Sequence, residues 1–351
     1  MKHLRALALG VMSSAVIVAG CSSPQQPTPV PPPVITPDPP KITCPVPQTV
    51  QLTTNVTSTT VVYGVPTAVN GKPPVTTTCT PASGAMFTMG QTSVSCTATD
   101  ALQRTDACAF FVTVVPPLQL TNTTFVAFGD SITWGEDGTN PLGTSSASTR
   151  FHVAVQLPLG QIYPSVLQQD LSARYRIQTP TVANAGKPAE AIADATTFPR
   201  FTALTSSRLY SVVLIMEGTN DLYVHDSLTI PPAISGLRQM VRDAKSRGIR
   251  PYLATIPPMN PAGFRGGTYS WYLVPEFNDR VRELAASEGV TLVDVYQGFN
   301  NNFALLGSDG LHPNAAGYAK IADIFFASIK QTLEVPQPFI STTRGFSGRI
   351  R

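Results

Sequence analysis

Three side chains whose types suit one reaction stand far apart in the chain: Ser131, Asp309 and His312. Ser131 follows the apolar run Phe125-Val126-Ala127-Phe128 and the pair Gly129-Asp130, so it sits where a short buried strand stops and turns sharply. A serine hydroxyl is a weak nucleophile until a base takes its proton. Of the four histidines, His3 lies in a leader-like segment, leaving His152, His225 and His312 as candidates. Only His312 lies in a segment suited to the task, Ser308-Asp309-Gly310-Leu311-His312-Pro313, with Pro313 fit to open a helix. Asp309 is three residues before it, within reach of the ring. A carboxylate there fixes the imidazole tautomer and stabilises the imidazolium, while the other nitrogen takes the serine proton. On its own the same segment could merely cap a surface helix. His225 remains the rival base, because it follows Asn220 closely.

Two further strand ends supply parts of the same reaction. Val213-Leu214-Ile215-Met216 runs into Glu217-Gly218-Thr219-Asn220-Asp221, placing the Asn220 amide where it can donate to a developing oxyanion. Val182-Ala183-Asn184-Ala185 ends at Gly186, whose backbone N–H has no side chain to shield it. Each segment alone could be a simple turn. Lys187, next to Gly186, could favour an anionic substrate or face solvent.

The elements that must position these groups are legible in the hydrophobic pattern. After Pro116-Pro117, strand candidates fall at 124–128, 179–183, 210–216, 250–255 and 290–295. Between them run helical stripes: Ile234, Leu237, Val241 and Ala244, then Val274, Phe277, Val281 and Leu284, and finally Tyr318, Ile321, Phe325 and Ile329. Apolar strands alternating with amphipathic helices predict a parallel sheet covered on both faces, with ligands at the carboxyl ends of its strands.

The first third differs. Within 351 residues, 42% hydrophobic and 13% charged with a formal net charge of +3, no basic stripe suggests nucleic acid. Met1–Arg5 is basic, Ala6–Ala19 apolar, and Val18-Ala19-Gly20-Cys21 resembles a bacterial lipoprotein signal, which implies a lipidated Cys21. An ordinary signal peptide with Cys21 as a spare thiol is the alternative. The expected location is the bacterial cell envelope, anchored through lipid (outer membrane or periplasm if the source has two membranes). Residues 22–41 are proline-rich, nine prolines falling in 24–40, and read as a semi-rigid spacer.

From Ile42 to Pro116 the chain is rich in Thr and Val. Alternating runs at Thr49–Thr54, Thr60–Tyr63, Ser93–Thr97 and Phe110–Val115 predict a small β-sandwich. It contains Cys44, Cys79, Cys96 and Cys108, an even set that in an exported domain implies two disulfides. Three pairings are open; joining first and last strands favours Cys44–Cys108, with Cys79–Cys96 closing the middle. Zinc is disfavoured, since the segment has no histidine and no Cys-x-x-Cys spacing. The run from Cys79 through Phe87, Gly90 and Val94–Asp100 to Cys108–Val112 resembles a hyalin-repeat (HYR) module. That resemblance implies an immunoglobulin-like accessory domain with a spacing or adhesive role.

The second resemblance covers residues of about 120–333. Gly129-Asp-Ser-Ile-Thr133, the Gly186 segment, Gly218-Thr-Asn-Asp221 and Asp309-Gly-Leu-His312 are similar, in order, to the four blocks of the SGNH (GDSL-type) hydrolases. It implies a flavodoxin-like three-layer α/β/α domain, here at 118–335 and followed by a tail at 336–351. It also implies carboxylic-ester hydrolysis through an acyl-enzyme without a cofactor or metal. Ser131 is then the nucleophile, His312 the base and Asp309 its orienting acid, with the N–H groups of Ser131 and Gly186 and the Asn220 amide as oxyanion donors. No Gly-x-Ser-x-Gly elbow occurs, which argues against the α/β-hydrolase fold. Loops 136–160 and 257–272, carrying Phe151, Phe264, Trp271 and Tyr272, are expected to wall the pocket with Trp134. Their aromatics suit sugar, aryl or acyl groups, and carbohydrate O-acetyl esters are the first choice. Lipid or lysophospholipid esters, or thioesters, come next. A surface adhesion lipoprotein with a secondary or inactive esterase domain is the reading from another class. The chain is expected to be a monomer.

Overall fold

The computed structural model describes residues 36–139, 154–223, 227–265 and 269–337. Cys21, the leader, most of the spacer, Phe151, His152, His225 and nearly all of the 336–351 tail therefore lie outside the described residues.

Among the described residues the first third forms β1 (Lys41–Thr43), β2 (Gln48–Gln51), β3 (Ser58–Thr60), β4 (Thr67–Val69), β5 (Thr76–Thr80), β6 (Met86–Thr88), β7 (Gly90–Thr99) and β8 (Thr105–Val115). One sheet has the order β2-β8-β7-β5, and two ribbons, β1-β4 and β3-β6, complete the domain. Alternate residues of β7 and β8, among them Val94, Cys96, Ala98, Phe110, Val112 and Val114, bury one face against Ile42, Leu52, Tyr63 and Phe87. Disulfides join Cys44 to Cys108 and Cys79 to Cys96. The second bridges directly opposed residues of β5 and β7. The sequence pattern missed β1, β4, β5 and β6, and β5 shows a plain reason. Thr76-Thr-Thr-Cys-Thr80 has no apolar-polar contrast to read, although its side chains do alternate in burial.

Beyond Pro117 the described residues hold five parallel strands: β9 (Thr124–Gly129), β10 (Thr181–Gly186), β11 (Val212–Met216), β12 (Arg250–Ala254) and β13 (Thr291–Val293). Their order in the sheet is β10-β9-β11-β12-β13. The helices are α1 (Ser131–Trp134), α2 (Tyr163–Arg174), α3 (Thr197–Ser206), α4 (Ile230–Ser246), α5 (Val274–Glu288), α6 (Val295–Phe299) and α7 (Ala315–Leu333). Strand side chains alternate between two cores. Val126, Phe128, Val213 and Ile215 join the α3, α4 and α5 stripes on one face. Phe125, Ala127, Val212 and Leu214 join Tyr163, Leu167, Tyr318, Ile321 and Phe325 of α2 and α7 on the other. This is a flavodoxin-like three-layer domain. Its topology reverses between β9 and β11, and a crevice at the carboxyl ends of strands is the expected place for a ligand at such a switch point.

Candidate active site

The position of Ser131 is set by backbone chemistry at the end of β9. Gly129 has no alternative: a Cβ there would lie 2.2 Å from both the Met216 carbonyl oxygen and Thr133 Oγ1. Asp130 then caps α1, its Oδ1 accepting from the Ile132 N–H at 2.8 Å. Ser131 opens α1 and is buried. Its own N–H is in the first turn, where helical amides lack an intrahelical acceptor.

His312 comes from the loop before α7, and two neighbouring loops hold that loop in place. The Asp309 N–H donates to the Gly138 carbonyl at 3.1 Å, and the Asn260 N–H to the Gly310 carbonyl at 2.8 Å. Ser131 Oγ lies 2.8 Å from His312 Nε2. On the far side of the ring, His312 Nδ1 lies 2.6 Å from Asp309 Oδ2. Asp309 Oδ1 accepts from the N–H groups of Leu311 at 2.9 Å and His312 at 3.0 Å. Burial alone would raise the Asp309 carboxyl, but the His312 hydrogen bond, its charge and these two amides outweigh it and hold the carboxyl below the usual range. Asp309 is therefore an anion when the ring needs a partner. The three residues form a relay in which serine can pass its proton to a ring already fixed in tautomer and angle.

Asn220 sits in the turn after β11. Its Nδ2 donates to the Glu190 carbonyl at 2.8 Å, and its Oδ1 accepts from the Tyr269 hydroxyl at 3.1 Å. One amide proton is spoken for, the oxygen is turned toward Tyr269, and the second proton is left to donate. Asp221 anchors the opposite loop, accepting from the N–H groups of Ile192 at 2.8 Å and Ala193 at 3.1 Å.

Gly186, expected to supply an oxyanion N–H, ends β10 against α1. Its N–H donates to Asn184 Oδ1 at 2.9 Å. A Cβ on it would lie 2.0 Å from the Trp134 nitrogen. The glycine permits β10 to pack against α1, and its amide is already engaged. The left-handed residue of that segment is Ala189, with φ 60°, immediately before Glu190. No glycine marks that turn, so nothing in the sequence flagged it. Lys187 pairs with Glu190 at 3.2 Å, its side chain about half exposed.

Tyr223, Phe264, Trp271 and Tyr272 are exposed on the loops after β11 and β12, and the Phe264 N–H donates to the Ser308 carbonyl, next to Asp309, at 3.3 Å. Trp271 and Tyr272 meet edge to face at 5.9 Å, as do Tyr223 and Tyr269 at 5.4 Å. Reading the sequence missed Tyr269, Glu136 and Arg265. The last two contact His312 or Asp309, and only their position inside the 136–160 and 257–272 loops could have drawn attention to them.

An open parallel sheet with a Ser–His–Asp relay at its carboxyl edge is the architecture of the SGNH hydrolases. Residues 127–320 match the model of the GDSL-like lipase/acylhydrolase family, and the chain belongs to that family of carboxylic ester hydrolases. Residues 37–114 match the HYR domain, so the β domain is a HYR domain. No curated protein matches the chain. Among solved structures, a lipase/acylhydrolase from Enterococcus faecalis is 22% identical over 60% of this chain and 96% of its own, with a TM-score of 0.49. A carbohydrate acetylesterase from Sinorhizobium meliloti is 19% identical over 59% and 97%, with a TM-score of 0.45. An acetyl-xylooligosaccharide esterase from a Geobacillus is 20% identical over 59% and 94%, with a TM-score of 0.44.

Proposed function

We propose that the protein is an extracytoplasmic serine esterase that removes O-acyl groups, acetyl first among them, from carbohydrate through an acyl-enzyme. The observation that carries the reading is the unbroken relay, Ser131 Oγ to His312 Nε2 at 2.8 Å and His312 Nδ1 to Asp309 Oδ2 at 2.6 Å. Ser131 Oγ attacks the ester carbonyl as its proton passes to Nε2. The Ser131 N–H and the remaining Asn220 amide proton stabilise the oxyanion. The C–O bond to the alcohol breaks, and the alcohol leaves with the proton from Nε2. Water, activated by the same nitrogen, then releases the acid and restores Ser131.

The exposed Tyr223, Phe264, Trp271 and Tyr272 support a sugar substrate, since flat aromatic faces with a polar edge suit rings that are apolar on one side and hydroxylated at the rim. Lipidation at Cys21 and a proline-rich spacer would hold the enzyme at the cell envelope, within reach of surface polysaccharide.

The test is fluorophosphonate labelling followed by a panel of acetylated oligosaccharides, long-acyl and aryl esters. The unmodified chain should label at Ser131, Ser131→Ala should not label, and His312→Ala should lose turnover while His225→Ala keeps it. Labelling at another serine would remove the assignment. A chain that neither labels nor hydrolyses would favour an adhesive role, and preference for long-acyl esters would favour lipid.

A further inference from the structure

Two charged residues outside the relay touch it. Arg265 donates its backbone N–H to the Asp309 carbonyl at 3.1 Å. Its guanidinium Nε lies 3.7 Å from Asp309 Oδ2, and one Nη lies 3.4 Å from Glu136 Oε1. Glu136 is buried, and its Oε2 stands 3.6 Å from His312 Nε2, the nitrogen that faces Ser131. Backbone bonds keep it there. The Glu136 N–H donates to the Ser131 carbonyl at 3.0 Å, and its own carbonyl accepts from the Tyr318 hydroxyl at 2.7 Å.

We propose that Glu136 is a second acid for His312, stabilising the imidazolium from the Nε2 side, and that Arg265 is the counterion holding that carboxylate back from the ring. Both are positioning residues acting through His312. The inference rests on the serine-esterase reading above.

Charge decides the matter. Among these three groups, Glu136, Asp309 and Arg265, one net negative charge stands beside a neutral imidazole, and the proton from Ser131 offsets it. Without the Glu136 charge the imidazolium shares the Asp309 carboxylate with Arg265 and loses one anion on its Nε2 side, which is less favourable at low dielectric. Without the Arg265 charge, the imidazolium is stabilised more than it is now. The two substitutions therefore push the base in opposite directions, which loss of packing would not do.

Other ionisable groups surround the pair: Asp309 and Asp130 act on the ring itself, Tyr269 from the loop after β12 lies near Glu136 and Arg265, and Tyr318 from α7 lies near Glu136, Asp309, Asp130 and Asp137. They are common to all the variants compared, so their contribution drops out of the difference.

The experiment is the pH profile of kcat/KM for the full chain on a small soluble ester. In Glu136→Gln the ascending limb should move to lower pH by about half to one unit, with a lower plateau. In Arg265→Met it should move to higher pH, and Glu136→Asp should bring the limb back toward that of the unmodified chain. A Glu136→Gln limb within about 0.2 unit of the original, or two limbs moving the same way, would overturn the proposal. If the unmodified chain neither labels nor hydrolyses, the esterase reading falls and this inference with it; a working enzyme with unmoved limbs removes only the role of Glu136.

Discussion

Asn220, the proposed oxyanion donor, shows how much of such a residue's work is done by what holds it. Its carboxamide is fixed at both ends, by the Glu190 carbonyl and the Tyr269 hydroxyl. Burial, the largest influence, pushes the Tyr269 phenol up to about 12, so it stays protonated and keeps donating at any working pH. Asn220→Ala should therefore lower kcat by about 100- to 1000-fold with little change in KM, the loss typical of one oxyanion donor. Tyr269→Phe should give a smaller fall in kcat, because the amide is then held at one end only. Steady-state kinetics on a small acetyl ester checks both. An Asn220→Ala enzyme within twofold of the original would remove Asn220 from the oxyanion site.

At the scale of elements, the carboxyl edge of the sheet gathers acids as well as catalytic groups. Glu217 follows β11 fully buried, and among the described residues neither carboxylate oxygen has a hydrogen-bond partner. Burial first, then the nearby Asp130, Glu190 and Asp221, push its carboxyl well above the ordinary range. Burial likewise raises Asp130 to about 6. Arg200 is the cation nearby. It pairs with Glu190, donates to the Ala185 carbonyl at 2.6 Å and lies 3.9 Å above the Phe128 ring. Because folding raises the Glu217 pKa, the folded state binds that proton more tightly than the unfolded chain. The resulting stability is fully present below the unfolded value and is lost as pH rises through the folded one. Glu217→Gln, a match for the protonated acid, should thus leave the melting temperature unchanged in acid and raise it at alkaline pH. Thermal melts at acidic and alkaline pH test this. A gain that is equal at both ends, or a loss at alkaline pH, would contradict the burial of an unpaired carboxyl.

At the scale of the whole molecule, the HYR domain adds no candidate acid, base or nucleophile to the relay. Its core is closed by its own strands and its two disulfides. Where the domains approach, Gln51, Leu52 and Thr53 stand across an open cleft of about 540 Å³ from Arg174, Asp323 and Phe326. An open cleft contributes little packing energy, so each domain should fold by itself. Residues 118–351 should hydrolyse a small soluble ester with kcat close to that of the longer chain. On an insoluble acetylated polysaccharide the shortened enzyme should be slower, through lost effective concentration at the surface. A folded but inactive 118–351 would mean that the HYR domain completes the active site.

Local signals carried the sequence reading a long way. An apolar run meeting Gly129-Asp130, a helix stripe through Ile321 and Phe325, and Asp309 three residues from His312 are short-range patterns. Backbone sterics, caps and hydrophobic periodicity act over the same few residues, so these patterns can be read without coordinates. They were enough for the five strands, for α4, α5 and α7, and for the residues that form the relay. Gly186 marks where that reading stops. Its type said that the backbone there is close to something, and only the packing of β10 on α1 decided that the neighbour is Trp134 and that its amide belongs to Asn184. The Glu136–Arg265 contact joins positions 129 residues apart through side chains on two irregular loops. No periodicity or spacing rule governs such a pair. It exists because the parallel sheet brings the carboxyl ends of β9 and β12 to one edge, where the energy of each charge is set by neighbours through space and by the burial they share.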